Sequence, residues 1–509
     1  MRLSITNRVL AIVSALAILS SLWRLHQEYA GVQIVEMDIE GTPATIYRPA
    51  TTPLGPVVVI AHGFAGSGRL MQSFALTFAR NGYIAATFDF PGHGRNPTPL
   101  TGNLTEVDGA TKTLVNETAK VAASVRGLGD GRLAALGHSM ASDIVVRFAE
   151  SDPNVAATIA VSMFSPAVTA TQPRNLLVIV GDWEGFLKTE ALRAIGLATS
   201  AAAAEPSVTY GEIDKGAGRR VSFSPHVEHA SVLFSQSSMR EAIDWLDRTF
   251  GIARTAPPQL DARGPWIMLL LVCVVGFARP LSAYLPVVAT PSVGAGLGWR
   301  RLWALLTIPM IATPLLLRVL PTHFLPVLVA DYLSVHFAVY GLIAAICVLV
   351  LRAKAGAAPP GQISYSSLVG AAFAVTVYGF IGLVWPIDSF VTSFVPGPER
   401  LVLTAAMLIG TLIYFLADEW TTRGIGAGRG AYAASKVAFL LSLSLAVALD
   451  FERLFFLILI VPIIAVFFIV HGLFSGWTYR RAGHPFAAGI ANAIAFAWAI
   501  GVTFPLIAG

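Results

Sequence analysis

The chain reads as two kinds of structure in series: an α/β unit with a mostly parallel sheet, then an all-α bundle of membrane-spanning helices. Three observations predict this. Strand-like and helix-like runs alternate between residues 30 and 252, and eight apolar segments follow from Pro265 onward. Of 509 residues, 55% are hydrophobic and only 13% charged, which is too apolar for a soluble chain of this size.

The strand-like runs lie at 32–38, 43–48, 56–61, 83–88, 132–136, 155–161, 176–181 and 207–213. The first two are closely spaced and suit an antiparallel start. Later ones alternate with helix-like stretches at 69–81, 111–126 and 238–248, which implies parallel strands with both faces covered. Val57-Val58-Val59-Ile60-Ala61 is uniformly apolar, as a central parallel strand requires. A further helix is expected over 189–204, ending in the alanine tract 201–204, with a strand and the loop 215–225 after it. The helix 238–248 closes with Trp245-Leu246, and 253–264 is a turn-rich linker carrying Ala256-Pro257-Pro258. No internal repeat of fixed period is present.

The downstream spans are expected near 266–288, 301–320, 325–351, 366–386, 400–418, 434–450, 454–475 and 486–507, each near the ~17–25 residues that cross a bilayer. A ninth apolar segment, 9–23, precedes the α/β unit. Ser20-Ser21-Leu22-Trp23-Arg24 is a poor cleavage site, so an uncleaved signal anchor over 1–29 is preferred to a signal peptide. The division is then anchor 1–29, α/β domain 30–252, linker 253–264 and membrane domain 265–509.

Orientation follows from the cations. With Arg2 and Arg8 in the cytoplasm, the inner loops carry Arg300, Arg301, Arg352, Lys354, Arg423, Arg429, Lys436, Arg480 and Arg481. The outer loops hold mainly Arg318, Arg400 and Arg453, beside Asp388, Glu399, Asp450 and Glu452. This obeys the positive-inside rule. It predicts a multi-pass inner (plasma) membrane protein whose α/β domain faces a periplasm or extracellular space. The net charge of +5 resides in those loops, so no nucleic-acid partner is implied. Cys273 and Cys347 both fall in spans and no Cys/His cluster exists, so neither a disulfide scaffold nor a metal site is expected.

The chemistry begins at Gly137-His138-Ser139-Met140-Ala141, directly after the apolar run 132–136. A serine flanked by small residues two positions either side, between strand and helix, is the pattern of a nucleophile elbow. His62-Gly63-Phe64-Ala65-Gly66-Ser67-Gly68 follows the strand at 57–61, and Asp89-Phe90-Pro91-Gly92-His93-Gly94-Arg95 follows that at 83–88. The strand 176–181 ends in Gly181-Asp182-Trp183-Glu184, and His226-Val227-Glu228-His229 precedes the last helix.

In these motifs and their order, residues 32–250 resemble the α/β-hydrolase superfamily of serine esterases, lipases and peptidases. The resemblance implies an oxyanion hole from the backbone N–H groups of Phe64 and Met140, with Ser139 as nucleophile. It implies a structural role for His93. It places the acid three residues after Gly181, at Glu184, with Asp182 as the rival carboxylate, and the base at His229, with His226 as the alternative. No cofactor is implied.

Only 45 positions separate Ser139 from Glu184, so no large cap is expected there. The helix 189–204 is a candidate roof. The expected activity is hydrolysis of a carboxylic ester, a small molecule or apolar lipid, by a membrane-integral enzyme. The alternatives are an acyltransferase using the same residues and a transport or signalling protein with a hydrolase-like binding module. Amide hydrolysis is compatible with the same residues. In the membrane half, Arg279, Asp331 and His336 are the ionisable candidates within or near spans. Pro280, Pro286, Pro309, Pro314 and Pro462 predict kinks. Substrate presentation or scaffolding is preferred there to transport, and the sequence carries no signal for oligomeric state.

Overall fold

A computed structural model describes residues 3–51, 54–103, 106–199, 204–355, 362–508. Arg2, residues 201–203 of the alanine tract, and the side chains of Arg352 and Lys354 lie outside the described residues. The chain opens with helix α1 (Ile5–Gln27) and strands β1 (Val32–Ile39), β2 (Thr42–Pro49) and β3 (Val57–Ala61). Then come α2 (Gln72–Arg80), β4 (Ile84–Phe88), α3 (Lys112–Arg126), β5 (Leu133–His138) and α4 (Met140–Ser151). Strands β6 (Val155–Val161) and β7 (Leu176–Gly181), α5 (Gly185–Gly196), β8 (Thr209–Tyr210), β9 (Arg219–Ser224) and α6 (Gln236–Phe250) complete the unit.

The sheet order is β1-β2-β4-β3-β5-β6-β7-β9-β8. Strands β4, β3, β5, β6, β7 and β9 run parallel, while β1, β2 and β8 pair antiparallel at the two edges. The unbroken apolar run of β3 has a simple cause. Val58 and Ile60 pack under α2 and α6, with Phe74, Phe78, Ile243 and Trp245, whereas Val57, Val59 and Ala61 pack under α3 and α4, with Val121, Val125, Val145 and Phe148. Both faces of the strand are dry, so neither can carry polar residues.

The strand expected over 207–213 shrinks to the two residues of β8, and the full strand beside β7 is β9, inside the stretch expected to be a loop. The sequence RRVSFS hides it. Arg219 is 1% exposed, with an Nη1 donating to Gly218 O at 2.9 Å, so a charged residue stands at a core position. The helix expected over 189–204 begins earlier, at Gly185, and ends at Gly196.

The second half comprises α7 (Arg263–Ser282), α8 (Trp299–Leu317), α9 (Ala330–Ala355), α10 (Tyr365–Gly379), α11 (Trp385–Phe390), α12 (Pro398–Thr422), α13 (Ala431–Leu449), α14 (Phe451–Ala482) and α15 (Phe486–Thr503). Residues 380–384 join α10 to α11 through one wide helical turn. Among the described residues, nine helices, α1 included, are long and apolar enough to cross a membrane. The chain is a membrane protein by this measure. Aromatic packing of Phe337, Tyr414, Phe415, Phe439, Phe468 and Phe496 forms the bundle core.

The turn-rich linker is laid down along α2. Arg254 pairs with Asp247 and donates to Asn81 O at 3.0 Å, and the buried Arg263 reaches Asp261, Gln72 and Ser73. At the other end, 504–508 leaves α15 and pairs with the α/β unit: Leu506 N–H donates to Gly92 O and Leu100 N–H to Leu506 O, each at 2.9 Å.

Candidate active site

Every motif lies at the carboxyl edge of the parallel strands, where open α/β sheets place their ligands. Strand β5 stops at His138 and α4 starts at Met140, so Ser139 alone makes the turn, at φ 54° and ψ −118°. Positive φ at a non-glycine residue is strained, and here it turns the chain between strand and helix within one residue. The small residue at 137 is obligatory: a Cβ there would stand 2.2 Å from Ala141 O.

Ser139 Oγ lies 2.9 Å from His229 Nε2, and His229 Nδ1 lies 2.6 Å from Glu184 Oε1. The three side chains form an unbroken hydrogen-bonded line. Glu184 Oε2 accepts from Ser162 Oγ–H at 2.8 Å and from the Gly181 N–H at 2.6 Å. Burial works to raise the Glu184 carboxyl, but the bonds from His229, Ser162 and Gly181 outweigh it and hold the group below its usual value. It is therefore an anion at neutral pH with every near neighbour donating to it. His138 props His229 from beneath, its Nε2 2.9 Å from His229 O and the two rings 4.9 Å apart.

The rival residues sit elsewhere. Asp182 faces solvent and pairs with Lys188 at 2.8 Å, and that bond holds its carboxyl below the usual value. His226 is exposed, at φ 58°. His93 is buried, hydrogen-bonded to Pro91 O at 3.0 Å, and its ring centroid is 5.3 Å from that of His62. His62 Nε2 accepts from the Phe90 N–H, so its Nδ1–H donates to Gly63 O at 2.8 Å. These bonds set the loop that presents Phe64. Among the described residues no hydrogen bond takes up the N–H of Phe64 or of Met140, as a site for an oxyanion requires. Asp89 ties the loops after β3 and β4 together, accepting from the N–H groups of Gly68 and Arg95.

Residues 53–197 match the family described as serine aminopeptidase, S33 (Hydrolase_4). The globular half has an α/β-hydrolase fold. Solved structures similar to this hydrolase unit include a predicted CIB-like hydrolase from Thermoplasma acidophilum, at 15% identity and TM-score 0.33, covering 42% of this chain and 97% of that one. Another is a dienelactone hydrolase from Anabaena variabilis, at 15% identity and TM-score 0.32, covering 42% and 97%. TT1662 from Thermus thermophilus matches at 16% identity and TM-score 0.33, covering 44% and 99%. No curated protein sequence matches the chain.

The membrane helices grip this site, which sequence reasoning missed. Asp388, read as an outer-loop residue, is 9% exposed and pairs with Arg95 at 2.8 Å, while its backbone oxygen accepts from Arg69. Ser67 Oγ lies 2.9 Å from Thr392 Oγ1 and accepts from the Ser393 N–H. Arg400, also read as an outer-loop cation, is fully buried and donates to Gly92 O at 2.6 Å and to Phe504 O at 2.8 Å. No local pattern distinguishes these residues from solvated loop charges. Only their long-range partners do.

Of the three intramembrane candidates, Asp331 in the first turn of α9 is buried, accepts from the N–H groups of Phe324 and Tyr332, and lies 3.2 Å from His323 Nδ1. His336 Nε2 lies 3.1 Å from Ser442 Oγ. Arg279 closes the last turn of α7. A larger polar cluster escaped notice: Lys436 is buried against Asp418 and Tyr414, and Glu419 against Arg423 and Ser475. Lys436 and Arg423 resemble inner-loop cations in sequence because both lie within a few residues of a helix end.

Proposed function

We propose that the protein is a membrane-integral serine hydrolase that cleaves a carboxylic ester through Ser139, His229 and Glu184. The observation that carries this reading is the line Ser139–His229–Glu184 at a strained elbow. His229 Nε2 takes the Ser139 proton as Oγ bonds to the acyl carbon, and Glu184 holds the resulting imidazolium. The N–H groups of Phe64 and Met140 receive the carbonyl oxygen as it becomes negative, a contribution of ~10²–10³ in rate for each donor. The C–O bond to the alcohol then breaks and His229 returns the proton to the leaving oxygen. Water, deprotonated by the same imidazole, frees the acid and regenerates Ser139.

An ester is favoured over a peptide by the setting: the site adjoins apolar helices that give a small-molecule or lipid ester a way in. Residues 1–29 serve as anchor, 30–252 as enzyme and 265–509 as substrate-presenting bundle, in the inner membrane with the enzyme outward. The family description supports a second reading, removal of amino-terminal residues by the same acyl-enzyme.

Labelling with a fluorophosphonate probe, wild type beside Ser139→Ala, tests the nucleophile. Label lost in the variant supports the reading, and an unlabelled, folded wild type overturns it. Turnover of p-nitrophenyl esters against aminoacyl-p-nitroanilides then separates the two substrate classes.

A further inference from the structure

The loop bearing Phe64 does not end in solvent. The Phe64 ring stacks on Phe456 of α14, with centroids 4.5 Å apart and planes 28° from parallel. Phe456 neighbours Phe455 at 5.8 Å, and Phe455 neighbours Phe451, one helical turn on, at 5.6 Å. At the inner end of this row, Gly63 abuts the nucleophile: a Cβ on it would stand 3.0 Å from Ser139 Cβ. Four aromatic rings thus run from the outer surface of a membrane helix to the residue beside Ser139.

Packing alone does not account for the row. Phe451 and Phe455 are 56% and 43% exposed, so half of it is turned away from the protein. What covers it follows from the helix. With 32 residues at ~1.5 Å each, α14 is about 48 Å long, against ~30 Å of hydrocarbon. Glu452 and Arg453 mark the boundary on the side of the sheet, and from Leu454 to Tyr479 the helix carries no Asp, Glu, Lys or Arg. Phe455 therefore sits at the hydrocarbon edge and Phe451 about one helical turn outside it, beside Glu452.

We propose that this row is a lateral acyl path: a long-chain ester dissolved in the leaflet beneath the hydrolase unit slides its chain along Phe451, Phe455 and Phe456 and delivers its carbonyl to Ser139. The proposal rests on the hydrolase reading above and adds to it a substrate class, membrane-dissolved long-chain esters, and a specificity determinant on a transmembrane helix. Phe456 has a double place, lining the path and backing the ring of Phe64.

The test uses the full chain in lipid nanodiscs, with p-nitrophenyl laurate and p-nitrophenyl butyrate as substrates. The readout is the ratio of kcat/KM for the long ester over the short one. Phe451→Ala and Phe455→Ala, both on the exposed half of the row, are expected to lower that ratio by about tenfold, the scale of one methylene in an apolar pocket. Ile469→Ala, lipid-facing at 65% exposure but ~27 Å further along α14 than Phe451, keeps the wild-type ratio. An unchanged ratio in the Phe451 and Phe455 variants overturns the path, as does an equal fall for both esters. Wild type that neither takes a fluorophosphonate label nor hydrolyses the butyrate overturns the hydrolase reading itself. Label and butyrate turnover with an unaltered ratio overturn only the path.

Discussion

Glu184→Gln isolates the part of the site that geometry defines most tightly. The two Glu184 oxygens receive three donors: His229 Nδ1–H at 2.6 Å, Ser162 Oγ–H at 2.8 Å and Gly181 N–H at 2.6 Å. Glutamine brings one acceptor oxygen and one NH2 group. The Gly181 donor belongs to the backbone and cannot turn, so the amide oxygen must face it, and the NH2 falls on His229. His229 Nδ1 then has to accept, its proton moves to Nε2, and that nitrogen can no longer take the proton of Ser139. In serine proteases the corresponding carboxylate-to-amide change lowers kcat about 10⁴-fold, which is about 5 kcal/mol of barrier. The expected result is a loss of about 10³–10⁴ in kcat with KM within about threefold, because the acid touches no substrate atom. Asp182→Asn removes an exposed pair with Lys188 and is expected to stay within about twofold. The assay is steady-state hydrolysis of a short p-nitrophenyl ester, normalised to folded enzyme. A Glu184→Gln rate within tenfold of wild type, or a hundredfold loss in Asp182→Asn, would refute the assignment of the acid.

Gly137→Ala sets a Cβ 2.2 Å from Ala141 O, a backbone atom with no room to yield, so the hydrolase unit should lose ~1–3 kcal/mol and Ser139 its alignment; denaturant melts and probe labelling report the two effects. Acidification should destabilise the same unit. Burial lowers His62 to about 4 and His93 and His138 to about 3, while in the unfolded chain each titrates near 6.5. Because the folded values are depressed, the unfolded state binds the extra protons, and stability present above pH 6.5 drains away as pH falls toward the folded values. The loss between pH 7 and pH 5 is about 2 kcal/mol per histidine, read as a falling melting temperature; a flat one would refute the burial of these rings as neutral groups. Lys215→Cys, in a background with Cys273 and Cys347 replaced by serine, should be modified by an impermeant maleimide from outside intact cells. Modification only after lysis would reverse the proposed topology.

How much of the fold and site is legible in the sequence depends on how local each signal is. The elbow around Ser139 is a five-residue pattern whose small positions answer to contacts within the same turn, and Gly137 meets Ala141 only four residues away. Apolar strands such as β3 declare themselves because both of their faces are buried in one layer of residues. Strand β9 was opaque because its pairing partner, β7, lies 43 residues upstream (Leu176 opposite Arg219) and because a buried arginine stands at its head. The family's spacing from Gly181 favours Glu184 over Asp182, but two carboxylates two positions apart both follow that strand, so spacing alone leaves a rival. Only the folded loop turns one towards His229 and Ser162 and the other towards Lys188.

By itself, then, the sequence determined the class of each half, the number of apolar segments and the residue types available for acyl chemistry, because hydrophobic periodicity and turn chemistry act over a few residues. The union of the halves was decided only by tertiary structure. Arg400 on Gly92, Asp388 on Arg95 and Phe456 on Phe64 bridge separations of roughly 300–400 positions, far beyond any local pattern. Such contacts form when desolvation makes an unpaired buried charge or ring more costly than a paired one, and that cost exists only once the sheet and the bundle have met.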